Sequence, residues 1–429
     1  MIDALNCLEA LAETTAETLR EIVRRHGTPT YAFDVGRLRT QVEKLRTHLP
    51  AGVEILYSLK ANASLGICDV LASCGVGADV ASAGELATAL EAGFPTRNIF
   101  VAGPFKLPET VSQLRQIPEA MVSVDSPSEL QRLADEHLSN PTLLRLRPDF
   151  GSCAVVAAGS DTRFGFTDHD LTRCRDFVLS CGLDVIGFHV FAGSQVLKAE
   201  SVIEHLSRSL DLSLRAAELL GIVPRLLNLG GGFGVPYGSN DEELDLRPIG
   251  DELAAMLERM APCRLVLELG RYLVAQAGWY LTSVVGHQTN QGRRAVVVDG
   301  GTHQRADMCG LRLRTHANPP IVLDGSASRL VPTDVLGCLS LPDDVLAESG
   351  LLPELSRGNV LGFSNAGAYG LWSSPALFHA SPLPAEVAFD GTKIQLMRER
   401  RPTRSILDDQ MHIVDTGLSP RSHSDSPSQ

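Results

Sequence analysis

Two strand-like stretches of this 429-residue chain end in charged side chains suited to chemistry, and a run of glycines lies between them. Lys60 closes EILYSLK (54–60) within YSLKAN. A lysine in that place can snorkel to the surface; partly buried, its pKa falls and it becomes the nucleophile that forms a Schiff base with an aldehyde. Glu268 ends RLVLELG (264–270) and is followed by Arg271, with which it could simply pair. Between them, Gly230-Gly231-Gly232-Phe233-Gly234 could turn backbone N–H groups onto a phosphate or could make a tight turn. It lacks the GxxxxGK[ST] and GxGxxG spacings, which disfavours a nucleotide. His189 ends DVIGFHV (184–190), where an imidazole can stack on a flat ring or hold a structural hydrogen bond. Together, an aldehyde-binding lysine, a phosphate loop and a carboxylate able to keep a pyridine nitrogen protonated describe a site for pyridoxal 5'-phosphate.

These residues need a scaffold that gathers strand ends. Between 50 and 270, EILYSLK, GVGADV (75–80), NIFVAG (98–103), AMVSV (120–124), TLLRLR (142–147), DVIGFHV, RLLNLG (225–230) and RLVLELG read as strands. Segments with helical apolar spacing, such as SAGELATALEAG and SVIEHLSRSLDLSLRAAELLG, lie between them. The alternation suits a (β/α)8 TIM barrel, which concentrates catalysis at strand C-termini, or a doubly wound open sheet; periodicity does not choose. From 271 to 400 short strands with little helix predict a separate β domain.

The 38 Lys+Arg against 51 Asp+Glu leave a net charge of −13, which argues against nucleic acid or an anionic membrane as partner. No apolar run reaches the ~18 residues of a membrane span. The N-terminus, MIDALNCLEALAETTAETLREIVRR, reads as an amphipathic helix of a cytoplasmic protein rather than a signal peptide. Nine scattered cysteines, none in CxxC, predict neither a metal site nor a disulfide framework. The polar end, finishing in LSPRSHSDSPSQ, is expected to be disordered.

In order along the chain, PTYAFD (29–34), YSLKAN (57–62), GADVASAGEL (77–86), LRLRP (144–148), GFHVFAGSQ (187–195), NLGGGFG (228–234), ELGRYLVAQAG (268–278), VDGG (298–301) and NAGAYG (365–370) resemble the fold-type III pyridoxal-phosphate decarboxylases. That group, built on an alanine racemase-like barrel, includes the diaminopimelate and ornithine decarboxylases. The resemblance implies an N-terminal segment (1–30) joining the β domain (271–400), a cofactor-binding barrel (31–270) and a tail (401–429). It implies that Lys60 holds the cofactor, with Asp79 and Arg145 beside it. His189 would stack on the ring, Glu268 would face the pyridine nitrogen, and Ser194, Gly231, Gly232, Arg271 and Tyr369 would meet the phosphate or substrate. Racemases of the fold place an arginine at the ring nitrogen, so Glu268 favours decarboxylation. A homodimer with shared active sites is implied as well.

LYSLKAN, DVASAGELA, HVFAGSQ, NLGGGFGVPY and GRYLVAQA look like the subgroup that decarboxylates aminoacyl groups on carrier proteins, as in butirosin biosynthesis, with a free amino acid such as diaminopimelate or a siderophore precursor as the alternative substrate. AVVAAGSDTRFGF, with Arg163, resembles that subgroup's loop. Where the family reads GPxCxxxD, this chain reads LDGSASRLVPTDVLG, so the cysteine position falls on Leu330 or Ser328 and the amine-recognising acid on Val331 or Arg329. A free diamine precursor is disfavoured, and His303 or Tyr369 is left as proton donor. An acidic carrier protein would need a basic patch, for which Arg312, Arg314, Arg398, Arg400, Arg401 and Arg404 are candidates. Loss of the cysteine also admits a non-catalytic binding homologue.

Overall fold

The computed structural model describes residues 13–150, 162–238, 240–290, 292–306, 320–324 and 329–411. Cys7, Cys153, Cys309, Arg312, Arg314, Ser328 and the end of the tail from 412 lie outside them.

Strand β1 (Thr30–Asp34) precedes eight strands that alternate with helices: β2 (Val53–Ser58), β3 (Gly77–Val80), β4 (Ile99–Val101), β5 (Met121–Val124), β6 (Thr142–Leu146), β7 (Val185–Val190), β8 (Leu226–Gly231) and β9 (Arg264–Leu269). These eight form a closed barrel. Parallel pairing of β2 with β9, Val53 opposite Leu265 through Tyr57 opposite Leu269, closes it and excludes the open sheet. Helix Ala199–Leu220 shows why the connections form: Val202, Leu206 and Leu210 recur at helical spacing on its buried face, and Gly221 at φ 71° ends it in the left-handed conformation. Helix Ala83–Glu91 starts on Ser82, which accepts the Glu85 N–H, while Glu85 Oε2 accepts the Ala81 N–H.

Residues after the barrel supply β10 (Gly278–Asn290), β11 (Arg293–Val298), β12 (Ile321–Val322), β13 (Val331–Leu336), β14 (Val345–Leu352), β15 (Val360–Phe363), β16 (Ala385–Asp390) and β17 (Lys393–Arg398). They share one sheet with β1, which pairs antiparallel with β10 and parallel with β16. Helix Glu13–His26 seats Leu19 and Ile22 against Leu281, Val387 and Phe389 of that sheet. The helix therefore buries its apolar face on the sheet, while Tyr31 and Phe33 of β1 pack into the main core shared with the barrel. Residues 403–407, ahead of the polar end, form a 3-10 turn.

Within the barrel, strand periodicity stacks two layers. The lower is an apolar plug of Leu56, Phe100, Met121, Leu143, Ile186, Leu226 and Val266. Side chains of one strand return to the same face every second residue, so the next layer holds Ser58, Ser123, Arg145, Asn228 and Glu268. In β7 the alternation breaks. A register irregularity lies where Leu143 pairs with Gly187, and a Cβ on Gly187 would sit 1.8 Å from the Leu226 carbonyl oxygen. Phe188 consequently joins the outer core, and His189 faces inward opposite Arg145.

Candidate active site

The polar layer opens into a cavity of about 270 Å³ at the C-terminal end of the strands, bordered by Lys60, Asp79, Arg145, His189, Phe191 and Glu268 among others. A smaller adjoining hollow is bordered by Lys60, Glu268, Ser194, Gly232, Arg271 and Tyr369. Residues from separate strand ends thus converge on Lys60 and Glu268, which touch both spaces.

Lys60 lies in the 3-10 turn Leu59–Ala61 directly after β2, with Nζ 5.0 Å from the centre of the Phe191 ring. The sequence suggested that burial would depress its pKa. Burial does pull it down, but the side chain keeps access to solvent through the cavity, and Asp79, Tyr369 and Glu268 outweigh that pull. The net shift is upward, so the lysine is an ammonium before any partner enters.

Glu268 is buried at the end of β9. Burial opposes its charge, yet His189, Lys60 and a hydrogen bond from Asn228 prevail, and its pKa is lowered. Asn228 Nδ2 donates to Glu268 Oε1 at 2.7 Å, while Asn228 Oδ1 accepts the Gly230 N–H at 3.0 Å. His189 Nε2 lies 3.3 Å from the same Oε1, an ion-pair distance without hydrogen-bond alignment. Asp79 behaves oppositely: burial, reinforced by Glu268, raises its pKa against the pull of Lys60. Of two buried carboxyls near one lysine, Glu268 holds the charge more tightly. Arg145 pairs with Asp125 at 3.2 Å and stacks 4.9 Å over Phe164.

The glycine run divides its work. Gly232, at φ 78°, borders the smaller hollow, and a Cβ there would come within 2.2 Å of the Gly193 carbonyl. Gly231 borders neither space; its missing side chain lets β8 pack on β9, where a Cβ would meet the Glu268 carbonyl at 2.1 Å. Gln195 ties the two loops by donating to the Val235 carbonyl at 2.6 Å and accepting its N–H at 3.2 Å. Arg271 opens the short helix Arg271–Val274, donates to Tyr237 Oη at 2.8 Å and lies 4.6 Å over the Tyr369 ring. Tyr369 comes from the sheet domain on a turn at φ 55°, and its N–H donates to the Ala61 carbonyl beside Lys60 at 2.7 Å. Asn62 Nδ2 to the Gly367 carbonyl, 3.0 Å, anchors the same crossing. His303 borders neither space: it is buried in the sheet domain near Asp344.

Ser123, Asn228, Phe191 and Tyr237 were missed as candidates. For Ser123 and Asn228 the signal was present: each is a polar residue inside an apolar strand run, two positions beyond a plug residue.

Residues 35–275 match the family model for the pyridoxal-dependent decarboxylases, pyridoxal binding domain. The chain belongs to that family. This decarboxylase is 33% identical to the L-glutamyl-[BtrI acyl-carrier protein] decarboxylase of Niallia circulans, over 93% of this chain and 96% of that one. It is 31% identical to the diaminopimelate decarboxylase of Pseudomonas aeruginosa, over 93% and 96%. Among solved structures, diaminopimelate decarboxylase from Helicobacter pylori complexed with L-lysine superposes with a TM-score of 0.80 at 25% identity, covering 91% of this chain and 98% of that chain. The cofactor of the family is pyridoxal phosphate, and the donor set suits it. An amine stands for the aldehyde and an ionised carboxylate for the ring nitrogen. For the phosphate there are a hydroxyl, a guanidinium and a side-chain-free turn at Gly232. No described helix is long and apolar enough to cross a membrane.

Proposed function

We propose that this decarboxylase removes the α-carboxylate of an acidic aminoacyl group held on a carrier protein. The observation that carries the reading is the full-length likeness to a decarboxylase named for a glutamyl acyl-carrier-protein substrate. The entry to β13 supports it: Arg329 and Val331, the two positions read for the amine-recognising acid of the diamine-forming relatives, offer no carboxylate.

Pyridoxal phosphate supplies, when bound, an aldehyde for the substrate's amine and a ring that accepts the electron pair left behind by departing CO2. Lys60, at the cavity wall, would hold the aldehyde carbon through its amine. Glu268 holds a proton at the ring nitrogen, a role for which its lowered pKa suits it. Ser194, Gly232, Arg271 and Tyr369 bind the phosphate end, with Arg271 steadied by Tyr237. His189 walls the ring, and Asp79 and Arg145 balance charge around Lys60. Tyr369, which borders the space holding Lys60, delivers the proton that Cα needs after CO2 leaves.

The active form is a homodimer: Trp372 and Leu377, just after Tyr369, are 50% and 72% exposed, an apolar surface next to the site that a second copy would cover. Of the arginines considered for docking, Arg398 is engaged by buried Glu386 and Arg400 by the Pro29 carbonyl and Thr30 hydroxyl. Among the described residues, Arg401 and Arg404 are exposed and are the docking cations of this reading.

Incubation with glutamyl-, aspartyl- and methylaspartyl-loaded carrier proteins, followed by intact mass, tests the reading. Loss of CO2 from a tethered acyl group, faster than from the free amino acid, is expected. Equal or faster turnover of free diaminopimelate, to which the diaminopimelate decarboxylase relatives point, would replace it. No turnover of any of these by cofactor-loaded protein would favour the binding homologue.

A further inference from the structure

We propose that Ser123 is a positioning residue that holds the His189 imidazole in its Nε2–H form by donating to Nδ1, and that buried Lys106 and Glu129 clamp the strand end that presents it. Ser123 does not border the cavity; it lies in the polar layer on β5, 1% exposed, with Oγ 2.9 Å from His189 Nδ1. The other ring nitrogen, Nε2, faces Glu268 Oε1 at 3.3 Å. An ionised carboxylate only accepts hydrogen bonds, so the single proton of a neutral imidazole belongs on Nε2. Nδ1 is then an acceptor, and the serine hydroxyl is its donor. Burial keeps the ring neutral, in agreement with this assignment. Without the hydroxyl, Nδ1 would be a buried acceptor lacking its partner, and the alternative tautomer would turn a lone pair onto Glu268.

The clamp beneath Ser123 gives the arrangement its rigidity. Lys106, on the loop after β4, donates from Nζ to the Ser123 carbonyl, and the same Nζ lies 3.4 Å from Glu129 Oε1. Glu129 Oε2 accepts the Asp125 N–H at 2.9 Å, and its Oε1 accepts the Lys106 N–H at 2.8 Å. The ion pair therefore holds peptide groups on both sides of Val124. Lys106 and Glu129 side chains are 1% and 0% exposed, and a pair so buried is costly to desolvate. Its hydrogen bonds go to the backbone that aims Ser123, which gives the pair a use beyond filling space.

The inference rests on pyridoxal phosphate lying between Lys60 and Glu268, but not on which acyl group is decarboxylated. Ser123→Thr keeps the hydroxyl, whereas Ser123→Val has nearly the same shape without it. The expected result is a loss of about 10-fold in both cofactor retention and kcat for Ser123→Val and Ser123→Ala, with KM within about 2-fold, and recovery in Ser123→Thr. Histidine 15N spectra of the full chain, recorded with and without pyridoxal phosphate, read the tautomer directly. One imidazole should show the Nε2–H pattern in the unaltered protein and in Ser123→Thr, and in Ser123→Ala its Nδ1 should move to the shift of an acceptor without a hydrogen bond, even where cofactor placement is mistaken. Cofactor retention and 15N shifts in Ser123→Val that match Ser123→Thr would overturn the proposal, as would an Nδ1–H ring in the unaltered protein. Should Ser123→Val fail to fold, Ser123→Ala with the same readouts decides it.

Discussion

The two layers inside the barrel come from the same strands and are separated by one pleat, yet they do opposite things. Leu143 and Leu226 fill the lower layer with groups that need no partner, whereas Arg145 and Asn228, two residues further on, each require one. The lower layer gains free energy by excluding water, and the upper layer gives some of it up to hold charges out of water. Stability and chemistry are thus assigned to alternate levels of one structure, and the plug forms a rigid floor against which the polar groups are set.

Substitutions can break this division. The largest effect belongs to Lys60→Ala, which should lower turnover by at least about 10³-fold and abolish the borohydride-sensitive visible absorbance of bound cofactor, while the unfolding midpoint stays within a few degrees. Retained absorbance would remove Lys60 from its assigned role. One pleat lower, Leu143→Ala should cost about 2–5 kcal/mol in denaturant unfolding with kcat of the folded protein changed less than about 2-fold. A large kcat loss there without a stability loss would show that the layers are not separable.

Asp79 allows a pH test of the upper layer. Its carboxyl is pushed up to about 7 by burial and Glu268, so folding takes up a proton between the ordinary carboxylate range and that value. The stability of the cofactor-free protein should fall as pH rises through this window. Asp79→Asn should therefore raise the melting temperature by a few degrees at pH 8 and leave it nearly unchanged at pH 4, as read by calorimetry across pH. The opposite trend would mean that Lys60 holds Asp79 charged throughout. The smallest effect is expected outside the barrel: Arg401→Glu with Arg404→Glu should slow turnover of carrier-bound substrate about 3-fold at low salt and leave free substrates unaffected.

Much of this architecture was legible along the chain. Each barrel strand matches one of the runs read from β-branched and apolar patterning, β2 starting one residue before its run and β8 ending one after, and Lys60, His189 and Glu268 stand within two residues of strand ends. The direction of the Lys60 shift was not legible, because it depends on Asp79 and Glu268 approaching through space. Nor was the division between Gly231 and Gly232, since adjacent glycines look alike until one is found against β9 and the other at the hollow.

Local pattern determined the elements: period-two apolar runs, helical spacing, and glycines where chain direction changes. It also determined the chemical types at the strand ends, because a polar side chain at the end of an apolar run has nowhere stable to lie but a mouth or a surface. Closure of β9 on β2 was settled only in three dimensions, since a barrel and an open sheet demand the same strands and differ only in which edges meet. The irregularity at Gly187, which turns His189 inward, likewise shows only in the fold, where β7 lies so close to β8 that a Cβ would meet the Leu226 carbonyl. The tertiary structure also decided that Tyr369, remote in sequence, hydrogen-bonds beside Lys60, and that Ser123 reaches the far side of the same imidazole.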